Sequence, residues 1–286
     1  MAYTGYNSSA VTNANEIPKI WSKFVIEFLK SKLVLTNLVT DRSSDLLNGG
    51  DTLYFPKTST RATTTYTEGQ MLTDILTANT DTNVTLTINQ IPIIASIIPW
   101  TLEAKSMYDQ KALRLREATY AVAKTIDSYI ASLAAQFTYN ITYSSITIAN
   151  LLKAYEQLNL KNVPFEDRAW VFGPAVFSDL VALTAGFFIQ TLSSDEKSLM
   201  TGKIGTILGS PVYISNNLTA SSSGSPATTV YANMYFHKSA IAYAALVTPK
   251  IEITDNDQLV QGTMISVKSL FGACILDADR GVQIVR

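Results

Sequence analysis

The chain has 286 residues, of which 47% are hydrophobic and only 16% charged, with a formal net charge of -1. That supplies enough apolar material for a large fold or two closely joined subdomains, and the near-neutral balance excludes a broadly basic nucleic-acid-binding protein. Thr, Ser and Asn stand where charged residues usually would, leaving a polar surface on which copies of the chain repel one another little.

Residues Met1 to Asn15 are small and polar and predict a flexible arm. From Ile17 the pattern changes: Ile20, Trp21, Phe24, Val25, Phe28 and Leu29 recur at helical spacing, so an amphipathic helix is predicted to about Leu38. Asn48-Gly49-Gly50 breaks it. Leu53 and Phe55 then alternate with Thr52 and Tyr54, and Val84, Leu86 and Ile88 alternate with Thr85, Thr87 and Asn89. Two antiparallel strands joined by a long Thr-rich loop are expected between Gly50 and Pro99. An arm of about 15–20 extended residues would reach about 50–65 Å. A lone two-stranded ribbon is marginal in water, so this one is expected to rest on another subunit.

The longest helix is predicted from Ser106 to Phe137, about 45 Å in length. Leu115, Ala118, Val122, Ile126, Tyr129, Ile130, Leu133 and Phe137 form its buried side, while Asp109, Lys111, Arg114, Arg116, Glu117, Lys124 and Asp127 take the rest. A hairpin-like connection, Thr138 to Ser145, leads to a helix over Ile148–Leu158 that Thr147 caps. Ala169 to Phe172 predicts a buried strand, and Gly173-Pro174 opens a helix ending near Leu183. Turn-rich residues 201–216 enter a strand, Thr219 to Thr228 is a mobile loop, Val230 to Phe236 a strand and His237 to Leu246 a short helix. Strands over Lys250–Ile253, Gln261–Phe271, Ala273–Leu276 and Val282–Val285 complete the chain. The strand–helix alternation suggests an α+β or α/β subdomain.

Catalytic, cofactor-binding and metal-ligating residues are not predicted. His237 is the single histidine and Cys274 the single cysteine, so neither a Cys/His zinc site nor an internal disulfide can be built. Cys274 lies among Gly272-Ala273 and Ile275-Leu276 and reads as a small residue of a buried strand. No Gly-x-Ser-x-Gly elbow accompanies His237. Gly202, Gly205 and Gly209 match neither a dinucleotide fingerprint nor a Walker loop and read as turns. Asp255 and Asp257 read as a solvated turn. No secretory signal begins the chain, and the apolar stretch Ile91–Trp100 falls short of the ~20 residues a membrane helix needs.

The order of parts resembles the major capsid proteins of tailed bacteriophages with the Hong Kong 97-type fold. Gly202-Lys203-Ile204-Gly205-Thr206-Ile207-Leu208-Gly209-Ser210-Pro211-Val212 is similar to that family's glycine-spaced run into an A-domain strand. The end, Ser269 to Leu276 and then Gly281 to Val285, resembles its closing P-domain strands. The resemblance implies an α+β fold with an N-arm and helix over 1–49, an E-loop hairpin over 50–100 and a spine helix with P-domain over 101–148. It further implies an A-domain over 149–246 and P-domain strands over 247–286.

Such subunits form pentamers and hexamers of an icosahedral head around double-stranded DNA, made in the bacterial cytoplasm. The implied partners are further copies of the chain, a separate scaffolding protein, a portal, a decoration protein and weak non-specific contact with packaged DNA, with no membrane. Expected inter-subunit contacts on the E-loop are Lys57, Arg61, Tyr66, Glu68, Met71, Leu72 and Ile75. Two alternatives share this architecture or its polar surface: an encapsulin-like compartment shell and a phage tail or adhesion protein. A hydrolase using His237 as base is the catalytic alternative.

Overall fold

A computed structural model of the chain describes residues 34–46, 50–58, 63, 65–71, 81–106, 109–143, 146–182, 188–189, 203–218, 220–223, 228–256 and 261–285. The predicted arm lies outside these residues. So does the predicted N-terminal helix except at its end, where Leu35–Asn37 form a 3-10 turn.

Described strands in the first half are β1 (Thr40–Asp41), β2 (Thr52–Lys57), β3 (Thr82–Thr87), β4 (Ile93–Pro99) and β5 (Tyr139–Thr142). Next come β6 (Arg168–Phe172), β7 (Phe188–Ile189), β8 (Lys203–Ile207), β9 (Ser210–Ile214) and β10 (Ala220–Ser223). The chain closes with β11 (Thr228–His237), β12 (Ile241–Asn256), β13 (Gly262–Ile275) and β14 (Gly281–Val285). The helices are α1 (Trp100–Lys105), α2 (Gln110–Ser132), α3 (Ile148–Leu160) and α4 (Pro174–Ala182).

These strands form three sheets. A four-stranded sheet runs β1-β12-β13-β4, a larger mixed sheet runs β5-β14-β11-β6-β9-β8-β7 with β10 added to β11, and among the described residues β2 pairs only with β3. Helix α2, about 35 Å long, joins the first two. Its middle packs Ala118 and Val122 against Val267 of β13. Its C-terminal half places Ile126, Ile130 and Ala131 among Phe271 and Ala273 of one sheet and Val171, Met234 and Phe236 of the other. The far face of the larger sheet, with Trp170, Phe172, Tyr235 and Ile284, is covered by Leu151, Ala154 and Leu158 of α3 and Val176 and Leu180 of α4.

Several expectations are corrected. The long helix starts at Gln110, not Ser106, because Ser106 is extended after α1 and Asp109 caps α2 by accepting a bond from the Ala112 amide at 3.0 Å. His237–Leu246 is not a helix. A 3-10 turn over Lys238–Ala240 leads directly into β12, whose alternation keeps Ile241, Tyr243 and Ala245 on one face. The predicted connection Thr138–Ser145 contains β5, which lies parallel to β14. The predicted mobile loop Thr219–Thr228 contains β10, paired antiparallel with β11. The two strands expected either side of Gly272 are one strand, β13, and the apolar stretch Ile91–Trp100 supplies β4.

Asp127 was expected on the polar side of the long helix and is fully buried. Its Oδ1 accepts bonds from the amides of Leu35 (2.9 Å) and Thr36 (3.2 Å), and its Oδ2 accepts from Asn217 Nδ2 (3.1 Å). One carboxylate thus gathers segments about 90 residues away on either side of it. A buried charge is tolerated when its lone pairs are filled by donors. In Asp127→Asn one oxygen becomes an NH2 group facing donors, so we expect a loss of about 1–3 kcal/mol, measured as a lower urea midpoint, with exchange at Leu35 and Thr36 rising most.

Candidate functional site

The part of the structure least explained by the chain's own core is the β2–β3 hairpin. Leu53 faces Leu86 and Phe55 faces Val84 across the two strands, so the ribbon has one apolar face. Near its root that face meets Leu46, Ala242, Ala244, Leu270 and Cys274. The opposite face exposes Tyr54.

Small residues make the seat. In the β12–β13 ladder Ala244 lies opposite Gly272 and Ala242 opposite Cys274, all on the hairpin side, while Tyr243 and Phe271 point to α2. A Cβ placed on Gly272 would lie 2.3 Å from the Thr87 carbonyl oxygen and 3.0 Å from the Ile88 Cα. Only a residue without a side chain lets the two backbones approach this closely. The crossing is then fastened by paired hydrogen bonds between Gln90 and Phe271, both 3.0 Å.

At the other end of β2, Lys57 reaches Asp277 at 3.1 Å. Asp277 also receives Arg280 Nε at 3.1 Å, and Arg280 donates to Ser239 Oγ at 2.8 Å. Beside them Lys161 pairs with Asp279 at 3.1 Å. Burial alone would raise the Asp279 carboxyl, but hydrogen bonds from Thr138 and Lys161 outweigh it and hold its pKa below the usual value. A cleft of about 710 Å³ lies between the far end of the ribbon (Lys57, Thr58, Thr82) and residues 161–164, His237, Asp277, Asp279 and Arg280.

Of the sequence-predicted contact residues, Lys57 is at the far end of β2, bonded within its own chain. Glu68 stands exposed in a turn with Gly69 at φ 90°, flanked by exposed Tyr66 (59%) and Met71 (72%). Arg61, Leu72 and Ile75 lie outside the described residues. Gly272, Asp277 and Arg280 were not singled out from the sequence. The Gly272-Ala273 pair inside an apolar run was the available signal, since an interior strand glycine marks a close backbone approach.

His237 caps the turn after β11: its Nδ1 accepts from the Ser239 amide at 3.1 Å and lies 2.7 Å from Ser239 Oγ. Burial, and next the Arg280 charge, push its pKa down. The Ser239 hydroxyl oxygen is also taken by Arg280, so this His–Ser contact is a braced turn. The glycine run forms the β8–β9 hairpin, whose two-residue turn, Leu208 and Gly209, has both φ angles positive, the geometry that matches strand twist. Among the described residues no group of three or more His, Cys, Asp and Glu side chains is placed to hold a metal, and no helix is long and apolar enough to cross a membrane.

This architecture is that of the Hong Kong 97-type capsid fold, and it is shared along nearly the whole chain with solved phage capsid structures. A protein of Mycobacterium phage Che8 superimposes with a TM-score of 0.76 at 22% identity, covering 95% of this chain and 97% of its own. The capsid structure of the cyanophage P-SCSP1u gives 0.73 at 20% identity, covering 94% and 93%. The capsid of cyanophage Pam1 gives 0.68 at 11% identity, covering 100% and 98%. No protein-family model and no curated protein matches the chain.

Two outcomes test this geometry. Gly272→Ala should force the hairpin root off its seat at about 1–3 kcal/mol, seen as a lower thermal midpoint and faster amide exchange in β2 and β3. Burial also pushes the Cys274 thiol up to about 11. Alkylation at pH 8 should therefore be on the order of a hundredfold slower in the folded chain than in denaturant.

Proposed function

We propose that this chain is the major capsid protein of a tailed bacteriophage, assembling through copies of itself into pentamers and hexamers of an icosahedral head around double-stranded DNA. The observation that carries the reading is the β2–β3 hairpin. It is a two-stranded sheet rooted on β13 that exposes Tyr54 on its strand and Tyr66 and Met71 beyond it. A ribbon of this kind is not self-sufficient in water, and exposed aromatic and Met side chains are favoured at protein interfaces. Whole-length likeness to capsid subunits supports the same reading.

In this proposal residues 50–100 act as the E-loop, with Lys57, Arg61, Tyr66, Glu68, Met71, Leu72 and Ile75 near the neighbouring subunit. Helix α2 is the spine, the β12–β13 sheet belongs to the P-domain, and the segment 149–246 contributes most of the A-domain. Many modest contacts suffice, because closure of a shell repeats each one and makes later contacts intramolecular. Scaffolding, portal and decoration proteins and weak contact with packaged DNA complete the partner set. The virion is the final location and the bacterial cytoplasm the place of assembly.

The test replaces residues 58–81 by an Asn-Gly turn. Lys57 and Thr82 are ladder partners, so a two-residue connection closes the hairpin without disturbing its root. Electron microscopy of the purified wild-type chain should show closed polyhedral particles. The shortened chain should remain soluble with an unchanged circular dichroism spectrum and form none. Normal particles from it would sink the E-loop role. Tubes or monomers from the wild type would sink the shell reading, and particles filled with protein cargo and free of DNA would point to a compartment shell.

A further inference from the structure

We propose that Lys57, Asp277 and Arg280 form a salt-sensitive latch that holds the β2–β3 hairpin at one angle to the body, with the crossing at Gly272 as its pivot. The hairpin is held at two places. At the root the Thr87 and Ile88 backbone lies against Gly272 and the Gln90–Phe271 bonds fix that point. Further along, the hairpin's side of the attachment is Lys57, at the end of β2 and 220 positions from its partner Asp277.

The body's side is rigid. Asp277 accepts from Arg280 Nε and from the Asp279 amide, and Arg280 is tied through Ser239 Oγ to His237 Nδ1. The hairpin's side is loose, for the Lys57 side chain is about half exposed whereas that of Asp277 is 19% exposed. Between the two lies the cleft of about 710 Å³, lined on one wall by Lys57, Thr58 and Thr82. The cleft lies beyond the seat filled by Leu53, Phe55 and Leu86, so it leaves space only beside the Lys57 end of the ribbon. A pivot, a weak ionic catch and an open gap are the parts of a hinge.

An ion pair with one exposed partner is individually weak and screened by salt. The latch therefore keeps the hairpin in one orientation at low ionic strength and releases it when Lys57 is drawn away by salt or by a competing acidic side chain. The inference does not rest on shell formation, since every group belongs to one chain.

The experiment is hydrogen exchange on the full chain, following amides of β2 and β3 against those of α2, in wild type, Lys57→Met and Lys57→Arg, at low salt and in 1 M NaCl. Lys57→Met keeps the apolar stem and removes the charge. At low salt it should raise exchange in β2 and β3 on the order of threefold, as 1 M NaCl should in wild type. Lys57→Arg should behave as wild type, α2 should not change, and salt should add nothing to Lys57→Met. Equal exchange in Lys57→Met and wild type overturns the proposal. So does a rise that Lys57→Arg shares, one that spreads to α2, or a salt response undiminished in Lys57→Met. These readings are made on unassembled subunits, so they stand or fall separately from whether shells form.

Discussion

The close approach of two backbones at Gly272 is the constraint on which the rest of the arrangement depends. Strand β13 has work on both faces. Phe271 and Val267 turn towards α2, while Gly272 and, across the ladder, Ala244 and Ala242 turn towards the hairpin. Bulk is therefore concentrated on one face and removed from the other. Were both faces bulky, the helix could still pack, but the hairpin would be lifted and Lys57 would lose Asp277. The cavity left by small residues is filled by Leu53, Phe55 and Leu86, so burial is retained while the main chains come together.

A second constraint acts on the opposite side of the same sheet. Asp127 sits inside the apolar stripe of α2 and is bonded by neutral donors from the turn after residue 34 and from Asn217. Burying a carboxylate costs several kcal/mol unless its oxygens are filled. The arrangement is consequently intolerant of alternatives: the entering chain, the helix and the larger sheet must all be present together. Leu35 and Val39 join the same apolar cluster as Ile130, Val171 and Phe236, but apolar packing is non-directional and would accept other registers. The charge supplies direction. Arg168 repeats the pattern in the larger sheet, where its buried guanidinium donates to the Pro164 and Val163 carbonyls, Asn159 and the Tyr235 hydroxyl.

The two constraints divide the molecule into a stiff body and a ribbon held at few points. In the proposed shell this division has a purpose. A ribbon held at few points would there meet neighbours set at differing angles while the packed body stays the same. The weakly charged surface, with only 16% charged residues, keeps repulsion between copies low. Contacts between them can then remain individually modest, which allows correction of misplaced subunits before closure.

The amino-acid sequence by itself determined the elements whose signal is periodic. Leu53 and Phe55 against Val84 and Leu86 announced the ribbon, and Ala118, Val122, Ile126 and Ile130 announced the long helix with its buried side. Thr147 and Leu151 to Leu158 marked the next helix, and the order of these parts carried the likeness to capsid subunits. These features are local, set by spacing along one strand or one helix face. Only the tertiary structure decided the rest. Ile241 to Leu246 can alternate or spiral in isolation, and pairing with β13 makes it a strand. Residues 220–223 are polar and look like loop until β11 offers a ladder edge. Asp127 reads as a solvent-facing charge until four donors from distant segments enclose it. Likewise Asp277 and Lys57 stand far apart in the chain and carry no shared motif. Their pairing, and the space removed at Gly272, arise because long-range contacts bring together residues whose relation no local pattern records.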